Sequence, residues 1–346
     1  MTALIDKNPY EDRDEPQFLQ ELTSLVNFHR EHCPEYAKLL KGKSLELKNI
    51  EDLPFIHVGI FKKFSLFSGV GKKGRTLLSS ATSGQSSKII LDEKSSALQT
   101  QSTEKIFNDF IGNQKCPILV VDSFKSLQSK GEISARVAAA LSLKQLALSF
   151  NFVLDDAFNA KSLKIKLMKE IAAQNDQLII YGFSWILYQF WNEVKRTPEL
   201  HSIFFGKTIF FVHSGGWKKL EDLKVSEDVY NHLLLQELSP KSKVINFYGL
   251  VEQVGIIYPL CEAGRRHVPL WADVLVRDSF TLKNLLNGVG QLQLINTISF
   301  GSPNHSVLTE DMGKLFSNTC PCGRKGKTFE LIGRIPKAEV RGCANV

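Results

Sequence analysis

The sequence predicts an α/β fold, with mostly parallel sheet covered by helices on both faces and a smaller β-rich unit after it. Three observations carry that prediction. Between about residues 90 and 250, short apolar runs alternate with amphipathic segments of helical period, the pattern of strands joined by crossover helices. Three polar motifs (Asp122-Ser123, His213-Ser214-Gly215-Gly216 and the stretch from Tyr248) follow such runs, at the carboxyl ends where open sheets bind ligands. After about residue 255 the pattern changes to closely spaced β segments.

Residues 16–40 carry apolar positions at three- and four-residue spacing, among them Phe18, Leu22, Leu25, Val26, Tyr36 and Leu39. They predict one or two helices, with Pro34 marking a break. DLPFIHVGIFKKF, 52–64, reads as an extended connector. It leads to SSATSGQSSKI, 79–89, where hydroxyl side chains crowd ahead of Ile89-Ile90. Two readings fit that composition: a solvated linker, or a loop whose N–H groups and hydroxyls wrap an anion. Beyond it, 97–111, 132–148, 184–196 and 226–238 predict helices, and 116–123, 177–184, 207–216 and 243–249 predict strands. The later β segments are 254–260, 267–276, 290–297, 313–318 and 328–334. The expected units are a helical segment and connector (1–64), an α/β core (65–255), a β-rich subdomain (256–334) and a short tail (335–346).

Composition excludes some functions. The net charge of +7 is spread thinly, with no Lys/Arg block of the kind that grips nucleic acid. No run of about 18 apolar residues is present, so no membrane span is expected. The polar start, MTALIDKNPYEDRDEPQ, is unlike a secretion signal, which favours a cytoplasmic location. Without such a signal, six cysteines argue poorly for disulfides. Neither a Walker-type GxxxxGK[ST] loop nor a GxSxG nucleophile turn occurs.

The order of motifs, however, carries a resemblance. A Ser/Thr/Gly loop (Ser80-Ala81-Thr82-Ser83-Gly84), Ser214-Gly215-Gly216, Tyr248-Gly249-Leu250-Val251-Glu252, Asp311 in LTEDMG and Arg334 in LIGRIPK follow one another as in the adenylate-forming enzymes. Within these the chain is most similar to the acyl-protein synthetases of the LuxE type, and next to the phenylacetate–coenzyme A ligases, from about residue 16 onward. The resemblance implies that 65–255 is a nucleotide-binding core. Ser80, Thr82, Ser83 and Gly84 would hold the ATP phosphates, although Ala81 replaces a glycine and no lysine follows at the common spacing. Ser214, Gly215 and Gly216 would lie against adenine; a plain strand-to-helix turn fits them nearly as well. Tyr248 would stack on the base beside Gly249, and Glu252 would hold Mg²⁺, an oxygen-seeking cation. Asp311 would take the ribose hydroxyls and Arg334 the ribose or phosphate. Val251 stands where the family has a threonine, so that hydroxyl contact is missing.

After Arg334 only Ile335 to Val346 remain, where the ligases carry a mobile C-terminal domain with a lysine for adenylation. Acyl-protein synthetases are also short and pass the acyl group to a cysteine near their C-terminus. Cys343, with Lys337 and Arg341 nearby to favour its thiolate, stands in that place. The implied function is ATP-dependent activation of a carboxylic acid, a fatty acid above all, to acyl-AMP. The acyl group would then pass to a cysteine thioester, for delivery to an acceptor such as a fatty-acid reductase. The rivals are a carboxylate–coenzyme A ligase, and a degenerate nucleotide-binding scaffold, which Ala81 and Val251 favour.

Cys261 and His267, in CEAGRRH, and Cys320 and Cys322, in CPCG, form a second set. Three thiols and an imidazole have the ligand type and number of a structural zinc site, though Cys-x-Cys is tighter than the usual spacing. Two unrelated turns with free thiols are the alternative. His57 and His213 are candidates for lining an acyl pocket, but each is more often a turn or core residue. The aromatics of 184–191 are more simply read as core.

Overall fold

The computed structural model describes residues 3–42, 47–69, 74–79, 86–127, 133–215, 217 and 222–335. Helix α1 (Glu15–His32) starts where the Asp14 carboxylate accepts the Gln17 N–H at 3.0 Å, and it ends at Cys33. Pro34 then opens α2 (Pro34–Leu39), the break expected from the sequence. The segment read as a connector contains a strand and a helical turn, β1 (Ile56–His57) and α3 (Ile60–Lys63).

Strands β2 (Thr76–Leu78) and β3 (Lys88–Ile90) pair antiparallel. The Ser87 N–H donates to Ser79 Oγ at 2.8 Å. Helix α4 (Glu93–Ile111) follows, capped by Asp92. Then come β4 (Cys116–Ser123), β5 (Ile133–Ser134), α5 (Ala135–Ser142), β6 (Ala147–Leu154) and α6 (Ile165–Ala173). The alternation continues through β7 (Gln177–Phe183), α7 (Ser184–Arg196), α8 (Pro198–Phe204), β8 (Thr208–Ser214), α9 (Glu227–Leu235) and β9 (Lys243–Tyr248). A short strand, β10 (Tyr258–Pro259), completes the central sheet in the order β10-β9-β8-β7-β4-β6. Every pairing in it is parallel except that of β10 with β9.

Alternate residues of these strands enter two different cores. Leu119, Val121, Leu178, Ile180, Ile209 and Phe211 face α6–α9, while Ile118, Val120, Ile179, Tyr181, Phe210 and Val212 face the opposite cluster with α4. A strand buried on both sides must be apolar at every position, which is why these runs stood out in the sequence. The helix expected over 132–148 is a correction: α5 stops at Ser142, and Ala147-Leu148 begin β6. Strand β6 is an edge strand, half solvated along its first residues, so its apolar signal is diluted by Ser149 and Asn151.

The second sheet contains β11 (Arg266–His267), β12 (Ala272–Arg277), β13 (Gly290–Asn296), β14 (Ser306–Leu315) and β15 (Thr328–Arg334) in the order β11-β15-β14-β13-β12, antiparallel throughout. Strand β1 adds to it, parallel to β14. One hydrophobic cluster runs from Leu4 to Phe329 through both sheets. The N-terminal segment is fastened to this sheet as well. The Leu270 N–H donates to Pro9 O at 2.8 Å, and Arg13 meets the fully buried Asp273 at 2.5 Å, with Lys327 on its other oxygen at 2.7 Å. Burial alone would raise the Asp273 pKa; Lys327 and Arg13 hold it below the usual carboxylate range.

Candidate active site

Strand β9 ends on Tyr248, whose hydroxyl donates to Asp311 Oδ2 at 2.7 Å. Asp311 lies on β14 directly opposite Arg334 on β15, and the Arg334 Nε is 3.4 Å from Asp311 Oδ1. Three residues singled out from separate motifs therefore meet at one place. The Tyr248 ring stacks near Tyr258, with centroids 6.0 Å apart, and is nearly buried. Burial raises the Asp311 pKa, while the Tyr248 hydroxyl and the Arg334 charge pull it back. The Arg334 side chain is 67% exposed, so its pairing with Asp311 is weak and its guanidinium remains open to an anion. A Tyr248→Phe variant leaves a buried carboxylate one donor short. We expect it to lose about 1–3 kcal/mol in urea unfolding; an unchanged midpoint would show that water replaces the phenol.

Gly249 turns the chain into one 3₁₀ turn, Val251–Gln253, which carries Glu252. The Glu252 side chain is buried, and burial raises its pKa. The turn is pinned by Asn304, whose amide donates to Glu252 O, and by Gln253, which donates to Leu294 O at 2.8 Å and Asn304 O at 3.0 Å. Strand β3, which begins just after Ser87, packs on this turn. A carboxyl held above its usual range in a dry site gains most from a cation that takes the proton's place.

Strand β8 ends on Ser214, and Gly215 adopts φ +76°, a left-handed conformation suited to glycine. Its carbonyl accepts the Ser184 hydroxyl at 2.6 Å. The same hydroxyl lies 2.9 Å from His213 Nδ1, and Tyr230 donates to Ser184 O at 3.0 Å. Burial pushes His213 down to about 3, so it stays neutral and braces the turn. His57 is exposed, its Nδ1 accepting the Gly59 N–H at 3.1 Å. Ser80, Thr82, Ser83, Gly84, Gly216 and Cys343 lie outside the described residues.

At the far side of β15, four donors converge. Cys261 and His267 flank a turn built on Gly264 (φ +69°), and Cys320 and Cys322 precede Gly323 (φ +87°). All four ligand atoms lie within 4.8 Å of one another. Cys261 Sγ is 3.6 Å from Cys320 Sγ, and Cys322 Sγ is 3.2 Å from His267 Nε2. Tetrahedral zinc with bonds of about 2.3 Å to sulfur sets its sulfurs about 3.8 Å apart, so the set fits a zinc ion. Arg324 ties the second turn to α4, pairing with Asp109 at 2.5 Å and lying 4.0 Å over the Phe110 ring. The five described cysteines form no disulfides.

Sequence motifs did not single out Gln253, Asn304, Ser184 or Tyr230, which position the site, nor Lys62, whose charge reaches Glu252. Only a lysine pair in the presumed connector hinted at the last.

A family model described as "Acyl-protein synthetase, LuxE" matches residues 4–346. Two curated relatives are each a long-chain-fatty-acid–luciferin-component ligase. That of Aliivibrio fischeri is 24% identical over 210 residues, 59% of this chain and 54% of the relative. That of Vibrio harveyi is 26% identical over 140 residues, 40% and 36% of the respective chains. The matches thus span about half and about a third of those relatives. Among solved structures, an open conformation of 2-hydroxyisobutyryl-CoA ligase in complex with 2-HIB-AMP and CoA aligns with a TM-score of 0.68 at 14% identity, covering 95% of this chain and 76% of that one. An ATP-bound RpMatB-BxBclM chimera aligns at 0.50 and 14%, covering 78% and 50%. At such identities the likeness is one of fold, and the fold is that of the adenylate-forming ligases. Among the described residues no helix is long and apolar enough to cross a membrane.

Proposed function

This chain belongs to the LuxE acyl-protein synthetase family, and from that premise we propose that it is an AMP-forming ligase that activates a fatty acid and relays the acyl group through Cys343 to a partner protein. The observation that carries the reading is the meeting of Tyr248, Asp311 and Arg334 beside the pinned Glu252, at the carboxyl ends of the central strands. In the first step a carboxylate oxygen attacks the α-phosphorus of ATP, the bond to the bridging oxygen breaks, and pyrophosphate leaves. In the second the Cys343 thiolate attacks the acyl carbon and AMP leaves, its phosphate oxygen keeping the electron pair. Asp311 holds the ribose hydroxyls as an acceptor, Tyr248 keeps that carboxylate oriented, and Arg334 faces the phosphates. Ser80, Thr82, Ser83 and Gly84 complete the phosphate cradle, and Ser214, Gly215 and Gly216 flank the base. Glu252 would hold Mg²⁺, which neutralises phosphate charge.

Cys261, His267, Cys320 and Cys322 would hold zinc in a structural role, since four protein ligands leave no open position. The experiment for the ligase reading is acid-dependent exchange of labelled pyrophosphate into ATP, across fatty and aromatic acids. We expect exchange to be fastest with long-chain acids. Exchange with none of them would sink the ligase reading.

A further inference from the structure

Among the described residues, the carboxyls of this site have a single ion-pair partner, Arg334. A triphosphate and a carboxylate repel each other, yet the side chains that meet there include two buried carboxyls, Glu252 and Asp311, and Arg334 is shared with the second of these. The N-terminal segment offers a further cation. Strand β1 pairs with β14 at Ile56↔Val307 and His57↔Leu308, and the Val58 N–H donates to Leu308 O at 2.9 Å. Helix α3 therefore starts beside the strand that carries Asp311 three residues later. It packs against β3, and β3 packs against the turn that carries Glu252. On α3, Phe61 is buried and Lys63 exposed, while Lys62 between them is half-buried. Through β3, the helix that carries Lys62 reaches the turn that carries Glu252. Among the described residues no carboxylate forms an ion pair with Lys62.

We propose that the Lys62 ammonium, held by α3 beside Glu252, binds the polyphosphate of ATP and screens it from the incoming acid. The proposal rests on the ligase reading of the site. An ammonium presented from one side of a partly desolvated cleft acts on phosphate charge without needing to move during the reaction.

The test compares Lys62→Ala with Lys63→Ala, a charge loss one residue away on the solvent side. Each is titrated calorimetrically with a non-hydrolysable ATP analogue and with AMP, and its unfolding midpoint is measured. Lys62→Ala is expected to weaken the ATP analogue roughly tenfold to hundredfold and AMP by less than about threefold, the loss of one charge-assisted contact to the outer phosphates. Lys63→Ala is expected to match the wild type. Equal losses for both nucleotides, equal losses in both variants, or a lowered unfolding midpoint with an unchanged affinity ratio would each overturn the proposal. The last would mean that Lys62 serves only to balance Glu252. Should the wild type bind the analogue yet show no acid-dependent exchange, the ligase reading falls while the affinity ratio still decides Lys62. Binding of neither nucleotide by the wild type would end both.

Discussion

A Cys343→Ser variant is expected to exchange pyrophosphate at the wild-type rate yet carry no acyl group after incubation with MgATP and a fatty acid, whereas the wild type gains one acyl mass that hydroxylamine removes. Adenylation needs only the nucleotide cluster, none of whose side chains is changed. The relay needs a nucleophile that ionises near neutral pH. A thiol does so in part, and a serine hydroxyl does not. The other cysteines are poor substitutes. Cys33 and Cys116 are buried, and burial raises both thiols; Cys261, Cys320 and Cys322 are drawn together with His267. Intact mass reads the result directly. An adduct that survives in the variant would move the acyl site elsewhere, and an adduct on neither protein, with exchange intact, would make the acceptor an external thiol.

The second large effect concerns metal. The purified protein is expected to contain one zinc per chain, and Cys320→Ser or a strong chelator should lower the thermal midpoint by about 10 °C. That figure takes roughly 5 kcal/mol from the metal, well below the value for zinc-finger peptides, and roughly 2 °C per kcal/mol for a chain of this size. The donors join the turn after β10 to the turn before β15, and so clamp the central sheet to the antiparallel one. The unfolded chain has no preformed set of four, so binding energy becomes folding energy. Metal-free protein with a midpoint indifferent to chelators and to Cys320→Ser would leave four thiol and imidazole groups in chance contact.

The central sheet was legible because strands buried on both faces are apolar at successive positions, as in the runs 116–123 and 207–214. Strand β6 was not, because one edge is solvated. Tyr248, Glu252, Asp311 and Arg334 were legible as residue types in motifs. That Tyr248 would reach Asp311, and that Asp311 would sit across from Arg334, depends on strand register over separations a sequence does not display. Lys62 was hidden for the same reason: its importance comes from β1 joining a strand about 250 residues later.

That pairing also orders events in time as the chain is made. Residues 56–58 have no mate until 306–308 have left the ribosome, and Arg13 waits for Asp273 in the same way. The central strands can assemble first from near neighbours in sequence, while the stretch from Arg13 to α3 lacks these partners through most of synthesis. Its apolar residues, Phe18, Leu22 and Phe61 among them, are then exposed to other chains for longest. Nascent chains halted before residue 306 should therefore be captured by holdases, and completing β14 should release them.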